Sequence, residues 1–200
     1  ITPLVLEFMK RHPQLRIDLS FEDTYVDLVA RGIDVAIRMG KLADSSLGAR
    51  YLGTNPWVMV ATPAYLRKHG TPRQPADLTR HNVLIYSTVL GDDRLHFVRG
   101  HGGRPATVAV HGSLRANNLS AILYAVQAHM GLAALPRYVA AQSLAAGRVV
   151  TVLDDYALPA QEIHAVYASP RQVPAKVKAL IASLQDFFQG QWWERPAMPT

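Results

Sequence analysis

The chain has 200 residues, 49% of them hydrophobic and 18% charged, with a net charge of +6 and no cysteine. That excludes disulfides, thiol nucleophiles and cysteine-ligated zinc, and it is too apolar for intrinsic disorder; no apolar run reaches the roughly 18 residues of a membrane-spanning helix. The length fits one large domain or two small lobes, and the positive charge makes its location along the chain the first question.

Ile1-Thr2-Pro3 is not a start methionine, and no basic segment precedes an apolar one, so no signal peptide is read and the chain is expected to be a piece of a longer protein. Thr2-Pro3 reads as an N-cap followed by proline at the first helical position. Leu4, Val5 and Phe8 then share one face of a helix that Pro13 stops. Residues 15–19 alternate at period two, as a strand does. Thr24 and Asp27 have capping-box spacing and open a short helix ending at Gly32, followed by a strand over 34–38. Strand, helix and strand in that order is the pattern of a parallel sheet.

Residues 57–61 form an apolar run of strand length, and Thr62-Pro63 caps a helix closed by Gly70. A strand is expected over 83–86 and another over 108–111, with a hairpin and its loop in the glycine-rich stretch 91–105. Asn117 or Asn118 caps a helix with Ile122, Val126 and Met130 on its buried stripe, stopped by Gly131. Residues 132–135 read as a short buried strand ending at Pro136, then a helix to Gly147, then strands over 149–153 and 163–168. Residues 177–188 are a long amphipathic helix, and the tail with Trp192-Trp193 has no clear period. Helices and short strands alternate throughout, so the fold class is α/β.

Residues 1–61 carry seven Lys/Arg and seven Asp/Glu, and residues 62–162 carry ten and six. The excess is a scatter of arginines (Arg73, Arg80, Arg94, Arg99, Arg104 and Arg115) rather than a stripe, which reads as a solvated face. Gly-x-Ser-x-Gly is absent, and His101-Gly102-Gly103 without a nucleophile is a glycine-rich turn. There is no phosphate-binding glycine loop, and no histidine pair sits at i, i+4 on a helix. No enzyme, metal site or cofactor is therefore expected. Asp92-Asp93 and Asp154-Asp155 read as turns.

Three places suit ligand recognition, each with a plainer reading beside it. Asn117-Asn118 opens a helix whose free N–H groups and positive dipole end suit a small anion, with Ser113 and Arg115 adding donors; the alternative is simple capping. Arg38-Met39 ends a strand, where an arginine clamps a carboxylate or makes a surface salt bridge. Glu22-Asp23 follows a strand and reads either as a helix cap or as cleft lining.

Several segments carry a resemblance: Gly32-Ile33-Asp34-Val35-Ala36-Ile37-Arg38-Met39-Gly40, Leu42-Ala43-Asp44-Ser45-Ser46-Leu47-Gly48-Ala49-Arg50, Ala61-Thr62-Pro63-Ala64-Tyr65-Leu66 with His69-Gly70, Asp77-Leu78 with His81, Gly131-Leu132-Ala133-Ala134-Leu135-Pro136, and His164-Ala165-Val166-Tyr167. In this order and spacing, over about residues 1–188, the chain resembles the C-terminal effector-binding domain of a LysR-type transcriptional regulator. The resemblance implies a periplasmic-binding-protein-like fold of type 2, with two lobes around a central cleft. Lobe I would hold residues 1–61 plus 163–190 and lobe II residues 62–162, leaving 191–200 as a tail. The family's first strand, its winged helix-turn-helix and its linker helix have no counterpart here.

By matching segment, the effector positions implied are Phe21, Glu22, Asp23, Arg38, Met39, Thr62, Arg115, Asn117, Asn118 and Pro136. The resemblance further implies a small anionic effector, a homodimer or tetramer joining a lobe I helix to the partner's lobe II, DNA contact only through the upstream domain, no membrane contact, and a cytoplasmic location. A solute-binding protein for transport and an enzyme on the same fold are the alternatives.

Overall fold

The computed structural model describes residues 1–22, 27–40, 42, 46–87, 93–99, 105–168 and 173–194. In chain order the elements are α1 (Thr2–Arg11), β1 (Ala36–Met39), β2 (Gly48–Asn55), β3 (Trp57–Ala61), α2 (Pro63–His69), β4 (Ile85–Tyr86), β5 (Arg94–Arg99), β6 (Ala106–Ala109), β7 (Arg115–Ala116) and α3 (Leu119–Gln127). They continue with β8 (Ala133–Pro136), α4 (Arg137–Ala145), β9 (Val150–Val152), β10 (Tyr156–Ala157), β11 (Gln161–Tyr167) and α5 (Ala175–Phe187). Short 3-10 turns cover Pro75–Arg80 and Trp192–Glu194. The chain divides into unit 1, Ile1–Asn55 with Gln161–Thr200, and unit 2, Pro56–Ala160.

In unit 1, β11 is the central strand, antiparallel to β1 on one side and to β2 on the other. Its alternation sends Ile163, Ala165 and Tyr167 into a core with Leu52 and with Val177, Ile181 and Leu184 of α5. A bulge between Ile163 and His164 shifts the register against β2. Helix α1 buries Val5 and Phe8 and ends before Pro13, but Ile1 takes the cap position and Thr2 is already helical. The stretch just after α5 packs back on this core: Trp192 is buried against Phe188, and its Nε1 donates to the Thr54 carbonyl at 2.7 Å. Gly53 allows this closure, because a Cβ there would meet the Phe188 carbonyl oxygen at 2.8 Å.

In unit 2, β3 lies between β8 and β9, antiparallel to both. Strands β4 and β7 pair in parallel, and a parallel bridge from Val83 to Leu132 joins them to β8. Both faces are covered, so β3 reads as a continuous apolar run. Met59 and Ala61 pack with Tyr65, Leu78, Leu95 and Phe97, while Val60 packs with Ile122, Val126 and Ala140. The expected hairpin is β5 with β6, in register from Arg94 opposite Ala109 to Phe97 opposite Ala106. Gly91, Asp92 and residues 100–104, which include His101-Gly102-Gly103 and Arg104, lie outside the described residues.

Four expectations change. Residues 15–19 alternate correctly but have no strand partner among the described residues, so no sheet includes them. Thr24 lies outside the described residues; the turn that ends at Gly32 is capped by Asp27, whose Oδ1 accepts from the Val29 and Ala30 N–H groups at 2.9 and 3.1 Å. The sheet around β1 is antiparallel, so no parallel strand-helix-strand unit forms there. The crossings fall at 55/56 and 160/161, so the 57–61 strand belongs to unit 2. The longest strand, β2, was not foreseen; Gly53, Thr54 and Asn55 mask its period.

Candidate functional site

Strand direction decides which residues of unit 2 share an edge of the sheet. Strands β7, β4 and β8 run parallel, so their C-terminal ends lie on one side: Asn117-Asn118 after β7, Tyr86 on β4, and Pro136 on β8. Strand β3 runs the other way and begins on that same side, with Trp57 opposite Pro136. C-terminal strand edges of this kind are where α/β sheets place ligands.

Helix α3 begins on this edge. Asn118 is its N-cap, with extended backbone and Oδ1 accepting from the Ala121 N–H at 2.9 Å. Asn117 is exposed and has no hydrogen-bond partner among the described residues. The remaining first-turn N–H groups and the dipole suit an anion. Arg115 makes an ion pair with Asp93 on the hairpin, so a ligand carboxylate would have to replace Asp93 to reach it. Pro136 is buried and forms the cap of α4, where its missing N–H is no loss.

Sequence reasoning missed the aromatic side chains on this edge. The Trp57 and Tyr86 rings lie 6.1 Å apart, tilted by 34°. Tyr138, in the first turn of α4, has its hydroxyl pushed up by burial and, to a smaller degree, by Tyr86. The residue as a whole is 37% exposed, whereas that shift concerns the hydroxyl end alone. The available signal was an aromatic residue flanking each of the motif ends, at 57, 86 and 138.

Thr62 is set apart from these residues. It ends β3 at the opposite edge, about 17 Å along a five-residue strand. It is 1% exposed, its hydroxyl caps α2 through the Tyr65 N–H at 3.2 Å, and His129 Nδ1 lies 2.8 Å away. The reason is the crossing itself, which comes before β3 rather than after it.

In unit 1 the candidates fall into two groups. Arg38 and Met39 end β1 on the edge where β2 finishes and β11 begins, the edge of the crossings. They point to opposite faces. Met39 packs with the α5-side core, whereas Arg38 lies in register with His164, whose ring meets Tyr51 edge-on at 5.7 Å. Phe21 is 72% exposed, and Glu22 is ion-paired with Arg31 at 2.5 Å. Asp23 lies outside the described residues.

No His/Asp/Glu group that could hold a metal occurs among the described residues. No helix among them is long and apolar enough to cross a membrane.

The family profile described as LysR substrate binding domain matches residues 1–189. A probable HTH-type transcriptional regulator, LtrA of Klebsiella pneumoniae, is 33% identical over 93% of this chain and 60% of its own length. The HTH-type transcriptional regulator PtxR of Pseudomonas aeruginosa is 34% identical over 93% of this chain and 59% of its own. Among solved structures, the regulatory domain of AphB from Vibrio vulnificus superposes with a TM-score of 0.79 at 26% identity, covering 94% of this chain and 91% of that one. The chain spans about three-fifths of the length of the curated relatives it matches. Its 1–189 match, together with relatives of this identity, means that the chain belongs to the LysR substrate-binding domain family.

Proposed function

We propose that this chain is the sensing part of a cytoplasmic transcriptional regulator, and that its effector is a small carboxylate with an apolar or aromatic body. The observation that carries the reading is the unit 2 edge, where the α3 N-terminus at Asn117-Asn118 shares a sheet edge with Trp57, Tyr86 and Tyr138. Peptide N–H groups and a helix dipole hold the charged end. The aromatic side chains supply apolar area for the rest. Turnover is not part of the proposal: the effector acts through its differential affinity for two conformations. DNA contact belongs to the upstream part of the whole protein, which assembles as a homodimer or tetramer.

Calorimetry with phenylacetate and acetate as probes tests this. Phenylacetate should bind more tightly than acetate, and Asn117→Ala and Asn118→Ala should each weaken it about tenfold, as loss of a charge-assisted contact does. Unchanged affinity in both variants would overturn the assignment.

A further inference from the structure

From Arg94 to Leu153 the chain has no Asp and no Glu, while it carries six arginines. Helices α3 and α4 lie within that stretch and pack against each other in unit 2. With no carboxylate of the stretch to answer them, donors that collect here favour an anion.

A groove of about 230 Å³ runs between the two helices. That is the liquid volume of about eight waters, room for a single ring or a short chain. Leu123 and Val139 line its apolar side, with the Tyr124 ring exposed at the rim. The polar side centres on Ser143, which is 2% exposed. Its Oγ accepts from Gln127 Nε2 at 2.7 Å, and Arg148 Nη2 approaches the same oxygen at 3.5 Å. With that oxygen engaged by two donors, the hydroxyl proton is left to give, and no acceptor meets it among the described residues. Arg148 makes no ion pair among the described residues.

Helix capping does not account for this guanidinium. The backbone N–H of Arg148 already closes α4 on the Ser143 carbonyl at 2.9 Å. On α3, the carbonyls of Tyr124, Ala125 and Val126 are taken by the N–H groups of Ala128, Met130 and His129. Open carbonyls, which repel an anion at a helix C-terminus, are therefore covered at these positions.

We propose that the α3–α4 groove binds a small hydroxylated carboxylate of sugar-acid size, at a site separate from the sheet edge. Arg148 takes the carboxylate. The Ser143 O–H and the Gln127 and Gln142 amides meet the hydroxyls, which both donate and accept. Leu123, Val139 and the Tyr124 ring cover the C–H faces. Gln127 closes α3 about 13 Å from the Asn118 cap, so the polar end of the groove is out of reach of an anion held at the helix start. The groove stands or fails without the effector reading above.

Titration of the isotope-labelled chain with glucuronate, followed in amide correlation spectra, tests this. The side-chain amides of Gln127 and Gln142 should shift and saturate below about 20 mM. Glucose, which lacks the carboxylate, should bind about tenfold more weakly, and Arg148→Gln should weaken glucuronate by about the same factor. Arg148 is exposed, so its substitution leaves the core intact; should the variant still not fold, the glucose comparison decides alone. Amides that do not shift, equal affinity for glucose, or unchanged affinity in a folded Arg148→Gln overturns the site. Shifts centred on Asn117 and Asn118 do the same, because the ligand then belongs to the sheet edge.

Discussion

The Tyr65 hydroxyl sits 3.3 Å from His81 Nδ1 and at the same time accepts the Asn82 N–H at 3.1 Å. With its oxygen occupied by that N–H, the phenol proton is free to point at Nδ1, which favours the neutral imidazole as acceptor. Burial depresses the His81 pKa below its ordinary value, and the neighbouring His69 and Arg80 push it further down against the opposing pull of Asp77. The folded state thus binds the proton less well than the unfolded chain. Stability from this group is fully present above about 6.5 and is lost as pH falls below it toward the depressed folded value. Melting temperature should fall between pH 7.5 and pH 5, and His81→Phe should flatten that part of the curve. An equal slope in the variant would assign the acid sensitivity to the other histidines. Asp77, held down chiefly by the Arg73 N–H, acts in a separate window below the ordinary carboxylate value; Asp77→Asn should remove that lower step and deepen the upper one, because its upward pull on the His81 pKa is lost with the charge.

Asn117 and Asn118 separate capping from recognition. Asn118 is the cap, so Asn118→Ala should cost about 1 kcal/mol in urea unfolding as well as ligand affinity. Asn117 is exposed and unpaired among the described residues, so Asn117→Ala should leave stability unchanged and weaken only binding. Equal stability losses in the two variants would show that both residues serve the helix.

What the sequence disclosed follows from how local each signal is. The α3 cap, the Thr62 cap of α2 and the β3 apolar run are each set within a few residues, and each appears where local chemistry puts it. Strand 15–19 fails because a strand requires a hydrogen-bonded neighbour, which period alone does not supply. The crossing was expected at 61/62 because the family resemblance set the lobe bounds there, where the apolar run 57–61 meets the Thr62-Pro63 cap. Asn55-Pro56 is the real break, and β2 and β3 flank it so closely that no composition change marks it. Thr62 lies at the opposite end of β3 from Trp57 and Pro136 for the same reason. Trp57, Tyr86 and Tyr138 each flank a motif end in the sequence, but only strand order brings them to one edge.

Trp192 tests whether the tail belongs to the fold. Its indole is buried against Phe188 and Phe187, and its N–H satisfies the Thr54 carbonyl. Trp192→Phe keeps most of the apolar contact and removes one hydrogen bond, so it should cost roughly 1 kcal/mol. Trp192→Ala adds the loss of the ring and should cost about 3–5 kcal/mol. Denaturant unfolding checks both. A cost near zero for each would detach the tail from the unit 1 core.

Asn82 ties three segments of unit 2 together. Its Nδ2 donates to the Met130 carbonyl at 2.6 Å and to Ser113 Oγ at 2.9 Å, while its Oδ1 accepts the Ser113 N–H at 2.7 Å. Its own carbonyl accepts the Leu132 N–H at 3.1 Å, in a space that only Gly131 leaves open, because a Cβ there would collide with that oxygen. Asn82→Ala removes three hydrogen bonds at an exposed site where water takes over part of them, and should cost roughly 1–2 kcal/mol. Asn82→Asp should be worse at neutral pH despite keeping the acceptor. It turns the Nδ2 position into a carboxylate oxygen facing the Met130 carbonyl, so two acceptors meet where a donor and an acceptor did. Its folded-state carboxyl pKa is raised by that contact, so part of the deficit should return as pH falls and the oxygen takes up a proton. Urea unfolding of the two variants at pH 7 and pH 5 reads this directly. An Asn82→Asp protein as stable as Asn82→Ala at both values would mean that the Met130 carbonyl turns away instead.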